Sequence, residues 1–238
     1  LTFDIVIRSY YRDFAWLRYC LASIDRYAAG FSRRIVVVPE SSVDWLATYG
    51  LEPAGLVVCA DFRDDYVGQQ LTKLYADDLS EADFIVHFDS DCVLARTLQA
   101  SDCAEDGKPV IWMTHFDELS PVSGRREGVS RLLGVDVPYD FMRRMPIVFP
   151  RWLYSALREH VVARHGGDFR AIVAALPPGQ LSEFNLLASL AYLYHRDAFG
   201  WRVVPAAATD WQRCRFYWGR AGLSAEIERE ISSILSGS

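Results

Sequence analysis

Two carboxylates one residue apart, Asp89 and Asp91, close the apolar run Phe84-Ile85-Val86-His87-Phe88. Residues i and i+2 of a strand project to the same side. The pair can therefore offer hard oxygen ligands to one divalent cation. Position gives the triplet its weight. Open α/β sheets gather ligands at the carboxyl ends of their strands, and Asp89-Ser90-Asp91 is the only Asp-x-Asp in the chain.

The composition bounds what such a site can serve. A chain of 238 residues, 51% hydrophobic and 13% aromatic, has enough apolar surface for one large core. The net charge of −6 argues against broad nucleic-acid binding, which needs clustered basic charge. No stretch approaches the roughly 20 uninterrupted apolar residues of a membrane-spanning helix. Asp4, Arg8, Arg12 and Asp13 interrupt any signal peptide at the start. Leu1 in place of Met suggests trimming, or excision from something longer. Cys20, Cys59, Cys92, Cys103 and Cys214 are odd in number, with no Cys-x-x-Cys among them. They read as reduced thiols, so a cytoplasmic location is expected, with a peripheral place at the inner face of a membrane as its variant.

The elements that must position the two acids alternate in type. Asp4–Ile7, Arg34–Val38, Leu56–Cys59 and Phe84–Phe88 read as buried strands. Between them, residues 13–28 form an amphipathic helix with Asp13 as its cap, and residues 67–79 form another. Ser42 to Tyr49 reads as a short helix stopped by Gly50. This alternation predicts a largely parallel sheet with right-handed crossovers. Further on, Pro109–Met113, Met145–Phe149 and Trp201–Val204 read as strands, and residues 117–140 as a long loop. Helices are expected from Pro150, near 168–176, after a capping Ser182, and over 224–235. No clean linker divides the chain.

Three features in order carry a resemblance: a first strand running into Arg8-Ser9-Tyr10, then a strand closed by Glu40 and a helix bearing Gln69-Gln70-Leu71-Thr72-Lys73-Leu74, then the strand into Asp89-Ser90-Asp91. In this order the chain resembles a nucleotide-sugar glycosyltransferase of the GT-A fold. The likeness implies a single α/β domain with a GT-A-like (Rossmann-like), mostly parallel sheet flanked by helices. Residues 1–115 would bind the nucleotide sugar, and 116–238 the acceptor. It implies transfer from a nucleoside diphosphate donor, UDP foremost, to a hydroxyl of a glycan or lipid-linked acceptor in polysaccharide or glycoconjugate assembly. Mn2+ or Mg2+ would neutralise the departing diphosphate.

Residue by residue, the resemblance makes Asp91 the direct metal ligand. Asp89 lies nearer the ribose or the metal's water shell, and His195 is a late metal ligand. Arg8, Ser9, Tyr10 and Ser90 would meet the nucleotide, with Glu40 on base or ribose and Asp61 a weaker analogue. Lys73 and Gln70, one helical step apart, would line the donor site. Glu183, in Ser182-Glu183-Phe184-Asn185, would be the general base of an inverting reaction, or bind the acceptor in a retaining one. His115 would line the acceptor pocket. Arg143 and Arg144 would meet an anionic acceptor. Trp211, Tyr217 and Trp218 could stack on sugar rings.

A haloacid-dehalogenase-like phosphatase is the rival enzyme, since it too carries Asp-x-Asp after a buried strand. Against it, the motif here follows three strands, and the Asp-Asp pairs at 64–65 and 77–78 lie upstream. A non-catalytic nucleotide-binding domain on the same fold is the third possibility. A dinucleotide dehydrogenase lacks its Gly-x-Gly-x-x-Gly after the first strand.

Overall fold

A computed structural model describes residues 1–119, 124–206, 213–217, 219 and 222–237. The main strands are β1 (Phe3–Arg8), β2 (Arg33–Pro39), β3 (Leu56–Cys59), β4 (Phe84–Asp89), β5 (Cys92–Leu94), β6 (Lys108–His115), β7 (Tyr139–Asp140), β8 (Ile147–Pro150), β9 (Gly200–Val203) and β10 (Cys214–Phe216). The main helices are α1 (Phe14–Tyr27), α2 (Asp65–Lys73), α3 (Arg125–Leu133), α4 (Trp152–His165), α5 (Phe169–Ala174), α6 (Glu183–Tyr194) and α7 (Ala225–Ser236).

The central sheet has five strands in the order β8-β4-β1-β2-β3, parallel except for β8. β1 and β4 are apolar almost throughout because both faces are covered, as parallel sheets require. Phe84, Val86 and Phe88 join Phe14, Leu17 and Leu21 of α1 on one face. Val6 and Ile85 join Leu153 of α4 and Phe184 of α6 on the other. Burying each such Leu or Phe contributes roughly 1.5–3 kcal/mol. The alternation also puts Arg8 and Asp89, neighbours in register, on the α6 side.

A second sheet runs β7-β6-β9, with β9 parallel to β6 and β7 antiparallel. The strand beside the Asp-x-Asp strand on this side is β8, antiparallel to β4. β10 pairs with β5, setting Phe216 opposite Cys92.

The expected loop over 117–140 contains α3. Its apolar residues Val129, Leu132 and Leu133 follow helical spacing and are buried, beneath a charged outer face. Gly128 is there because the helix meets residue 180 at close range; a Cβ would lie 2.1 Å from the Gln180 carbonyl oxygen. Other boundaries shift. The helix expected over 67–79 is α2, ending at Lys73. The one expected over Ser42 to Tyr49 is a single turn, Trp45–Thr48. Neither Asp13 nor Ser182 makes a capping hydrogen bond.

All five cysteines are free thiols. Among the described residues no helix is long and apolar enough to cross a membrane.

Candidate active site

A cleft of about 530 Å³ opens at the carboxyl end of β1 and β4. Its centre is an ion-paired cluster built by three elements. Asp64 caps α2, accepting from the backbone N–H groups of Tyr66 at 2.9 Å and Val67 at 3.4 Å. This fixes the helix that carries Gln70 and Lys73. Lys73 Nζ donates to Asp89 Oδ1 at 2.5 Å and to Glu183 Oε1 at 2.9 Å. Gln70 Nε2 donates to Glu183 Oε2 at 3.0 Å and to the Leu181 carbonyl at 2.9 Å. The Phe184 ring lies 4.7 Å from Nζ.

Lys73 and Glu183 side chains are each only 4% exposed, so this pairing decides their protonation. Burial favours the neutral amine of Lys73, but Asp89 and Glu183 outweigh it and drive the ammonium's pKa up. Burial alone would likewise raise Glu183. The Lys73 charge and the hydrogen bonds from Lys73 and Gln70 overcome it and hold the carboxyl below its usual range. Beneath the cluster, His87 Nε2 is 2.5 Å from Tyr154 Oη. Burial first and the Lys73 charge second push that imidazole down to about 3, so it is neutral.

Arg8, fully buried, pairs with Asp65 Oδ1 at 2.5 Å and donates to the Ser9 carbonyl at 2.8 Å. Ser90 Oγ donates to Ser9 Oγ at 2.8 Å, tying the loop after β1 to the loop after β4. Arg8, Tyr10 and Ser90 line the cleft, but Ser9 is buried behind it. Ser9, expected to meet the nucleotide, has its hydroxyl in this brace.

Asp91 is held by the other end of the described chain. Gly219 N–H donates to Asp91 Oδ2 at 2.8 Å, and Tyr217 N–H to the Asp91 carbonyl at 2.9 Å. Burial, then the Asp89 charge, push the Asp91 carboxyl up to about 7, with the Gly219 amide opposing. Asp13 also lines this corner. Among the described residues no three His, Cys, Asp or Glu side chains form a complete metal cage.

Several expected site residues lie elsewhere. His195 ends α6, roughly 18 Å along the helix from Glu183. It packs against Trp152 at 4.8 Å, so it cannot share a metal with Asp91. Glu40 is exposed, and neither it nor Asp61 lines the cleft; Asp61 accepts from Ser41. His115 pairs with Asp117 at 3.2 Å, away from the cleft. Tyr217 stacks on Trp16 at 5.6 Å, and Trp211 and Trp218 lie outside the described residues. Conversely, Asp13, Asp65 and Arg125 line the cleft without having been singled out for it in the sequence. Asp65 follows a capping acid, which reads as ordinary helix-start chemistry. Asp13 reads as a cap. Only tertiary contact separates such acids from site residues.

Arg143 and Arg144 both line the cleft. Asn185 holds the chain just before them: its Oδ1 accepts from Phe141 N–H at 2.7 Å, and its Nδ2 donates to Asp140 Oδ1 at 2.8 Å. Ser182 Oγ, in place of capping α6, donates to Met142 Sδ at 3.1 Å.

No curated protein matches the chain. Residues 3–225 match the model of a family of unknown function, DUF6492, and the chain belongs to that family.

Proposed function

We propose that the chain is a metal-dependent glycosyltransferase on a GT-A-like fold, moving a sugar from a nucleoside diphosphate to a hydroxyl of a glycan or lipid-linked acceptor. What supports this reading is the convergence of Asp89, Asp91, Lys73 and Glu183 on one cleft at the carboxyl edge of a parallel sheet.

The residues fit a divalent cation shared with a substrate. Asp89 and Asp91 both line the cleft, with Lys73 on Asp89 Oδ1 and the Gly219 amide on Asp91 Oδ2. Two carboxylates without a full cage suit Mg2+ or Mn2+ when substrate phosphates complete the shell. A bound ion would offset negative charge on the departing diphosphate.

The remaining work falls to side chains. Lys73 presents a point charge beside Asp89 for phosphate oxygens. The acceptor oxygen attacks the anomeric carbon as the bond from that carbon to the diphosphate oxygen breaks. The nucleoside diphosphate leaves with the bonding pair, and Glu183 takes the hydroxyl proton. The Lys73 pair makes Glu183 a weak base. An arriving diphosphate gives the ammonium another anion to share, which raises the proton affinity of Glu183 when a base is needed.

Calorimetric titration of UDP, GDP, CMP and CDP with Mn2+, Mg2+ or EDTA tests the reading. Binding of one nucleotide that needs the ion and is lost in Asp91→Ala is the expected result. No nucleotide binding under any condition would remove it.

A further inference from the structure

Acids and bases both line the cleft, and two groups of them stand out. Asp13, Asp89 and Asp91 gather at the end of β4, while Arg125, Arg143 and Arg144 come from the first turn of α3 and the segment leading into β8. The three guanidinium groups have one carboxylate partner among the described residues, Asp140. Only Arg143 reaches it, at 3.6 Å. Asp140 is already engaged by Asn185. Arg125 Nη1 meets the Met142 sulfur at 3.9 Å, and the Arg144 guanidinium lies 3.8 Å from the centre of the Trp112 ring. Neither contact cancels a full charge. Arg143 Nη2 donates to the Ala206 carbonyl at 3.2 Å, while its buried Nε has no hydrogen-bond partner among the described residues.

This wall is held in place by the same element that presents Glu183. The first turn of α6 supplies Asn185, which clamps residues 140 and 141, and Ser182 just before it holds Met142. The arginines are thus tied to the acceptor side of the proposed reaction. Trp112 stacking and the Ala206 carbonyl limit the freedom of two of them, so less entropy is lost when a ligand binds. A planar guanidinium matches the oxygen pair of a carboxylate or phosphate.

We propose that Arg125, Arg143 and Arg144 bind an anionic group, a phosphate or a carboxylate, carried by the acceptor. The word acceptor rests on the glycosyltransferase reading above; the anion site itself rests on the arginines.

The test is calorimetric titration of glucose 6-phosphate, glucuronate and glucose into the protein, with and without Mn2+ and each of UDP, GDP, CMP and CDP. Vesicles of phosphatidylcholine, with and without phosphatidic acid, form a second arm. The charged sugars or the phosphatidic acid vesicles should bind at least ~10-fold more tightly than their neutral counterparts. Arg125→Gln/Arg143→Gln/Arg144→Gln should erase that preference. Binding of the sugar phosphate alone assigns the anion to a soluble acceptor, and binding of the acidic vesicles alone to a lipid headgroup. If the triple variant does not fold, Arg125→Gln carries the test, since its guanidinium makes no ion pair among the described residues. Three results would overturn the proposal: neutral probes binding as well as charged ones, no probe binding, or arginine loss that weakens only nucleotide binding. If no nucleotide binds while charged probes bind through the arginines, the transferase reading fails and the anion site stands.

Discussion

Lys73 and Arg144 are cations of the same cleft in opposite circumstances. Lys73 is buried, with one carboxylate at 2.5 Å and a second at 2.9 Å. Arg144 is half-buried, lies over Trp112, and has no carboxylate partner among the described residues. Removing one member of a buried pair strands the others, so the Lys73 cluster stands or falls as a unit. Arg144 has no such debt to its surroundings. The strand-end part of the cleft is organised in advance by the protein's own charges. The part built from α3 and the approach to β8 keeps its charge for a partner from outside.

The contrast can be broken at either end. The largest effect is expected from Asp91→Ala, with metal-dependent turnover falling about a thousandfold while the fold is kept. Sugar-nucleotide consumption together with a thermal melt would check this, and full activity would end the metal assignment. Next, Lys73→Met should cost about 3–5 kcal/mol and lower Tm by about 10 °C, because Asp89 and Glu183 lose their counter-charge. Lys73→Met/Glu183→Gln should recover part of the loss. A melt unchanged in the single variant would show that the cluster does not act as a unit.

Glu183→Gln comes third, with a roughly hundredfold slower transfer and nearly constant nucleotide affinity. Unaltered transfer would eliminate it as the base. Fourth is pH. Asp91 is raised to about 7 in the folded protein. Its stabilising protonation is complete below the ordinary carboxylate range and lost as pH rises through about 7. A cation needs the ionised form, so Mn2+ affinity should increase about tenfold from pH 6 to pH 8, with proton release in calorimetry. A flat profile would mean that Asp91 does not hold the ion. The smallest effect belongs to Arg144→Gln, about 0.5 kcal/mol of stability, measured by denaturant titration. A large loss would make that arginine structural.

Much of this architecture was legible in the chain, for local reasons. The strands through Phe88 announce themselves as apolar runs bounded by polar turns, and the acids follow the last of them. Helix α6 is legible from Leu186, Leu187 and Leu190. What escaped depends on partners far away. Helix α3 hides its apolar stripe among charges, and Gly128 looks like a breaker until residue 180 is seen against it. Ser182 has the right type for a cap, yet Met142 takes its hydroxyl. Arg8 and Asp65 are separated by 57 positions, and Asp91 and Gly219 by 128. No local pattern encodes such pairs. His195 shows the opposite hazard: a residue type suited to metal, near the right helix, but at its wrong end.

The grip of residues 217 and 219 on Asp91 has a consequence for how the protein is made. Strands β1, β2 and β4 can emerge from the ribosome and pair while the later chain is still unsynthesised. Asp91 then lacks both N–H donors until residue 219 has left the tunnel and the intervening chain has folded. The nascent protein therefore acquires most of its sheet early and the hydrogen-bonded setting of Asp91 late. A truncated chain ending before residue 214 would keep Asp89, Lys73 and Glu183 but leave Asp91 without its anchor.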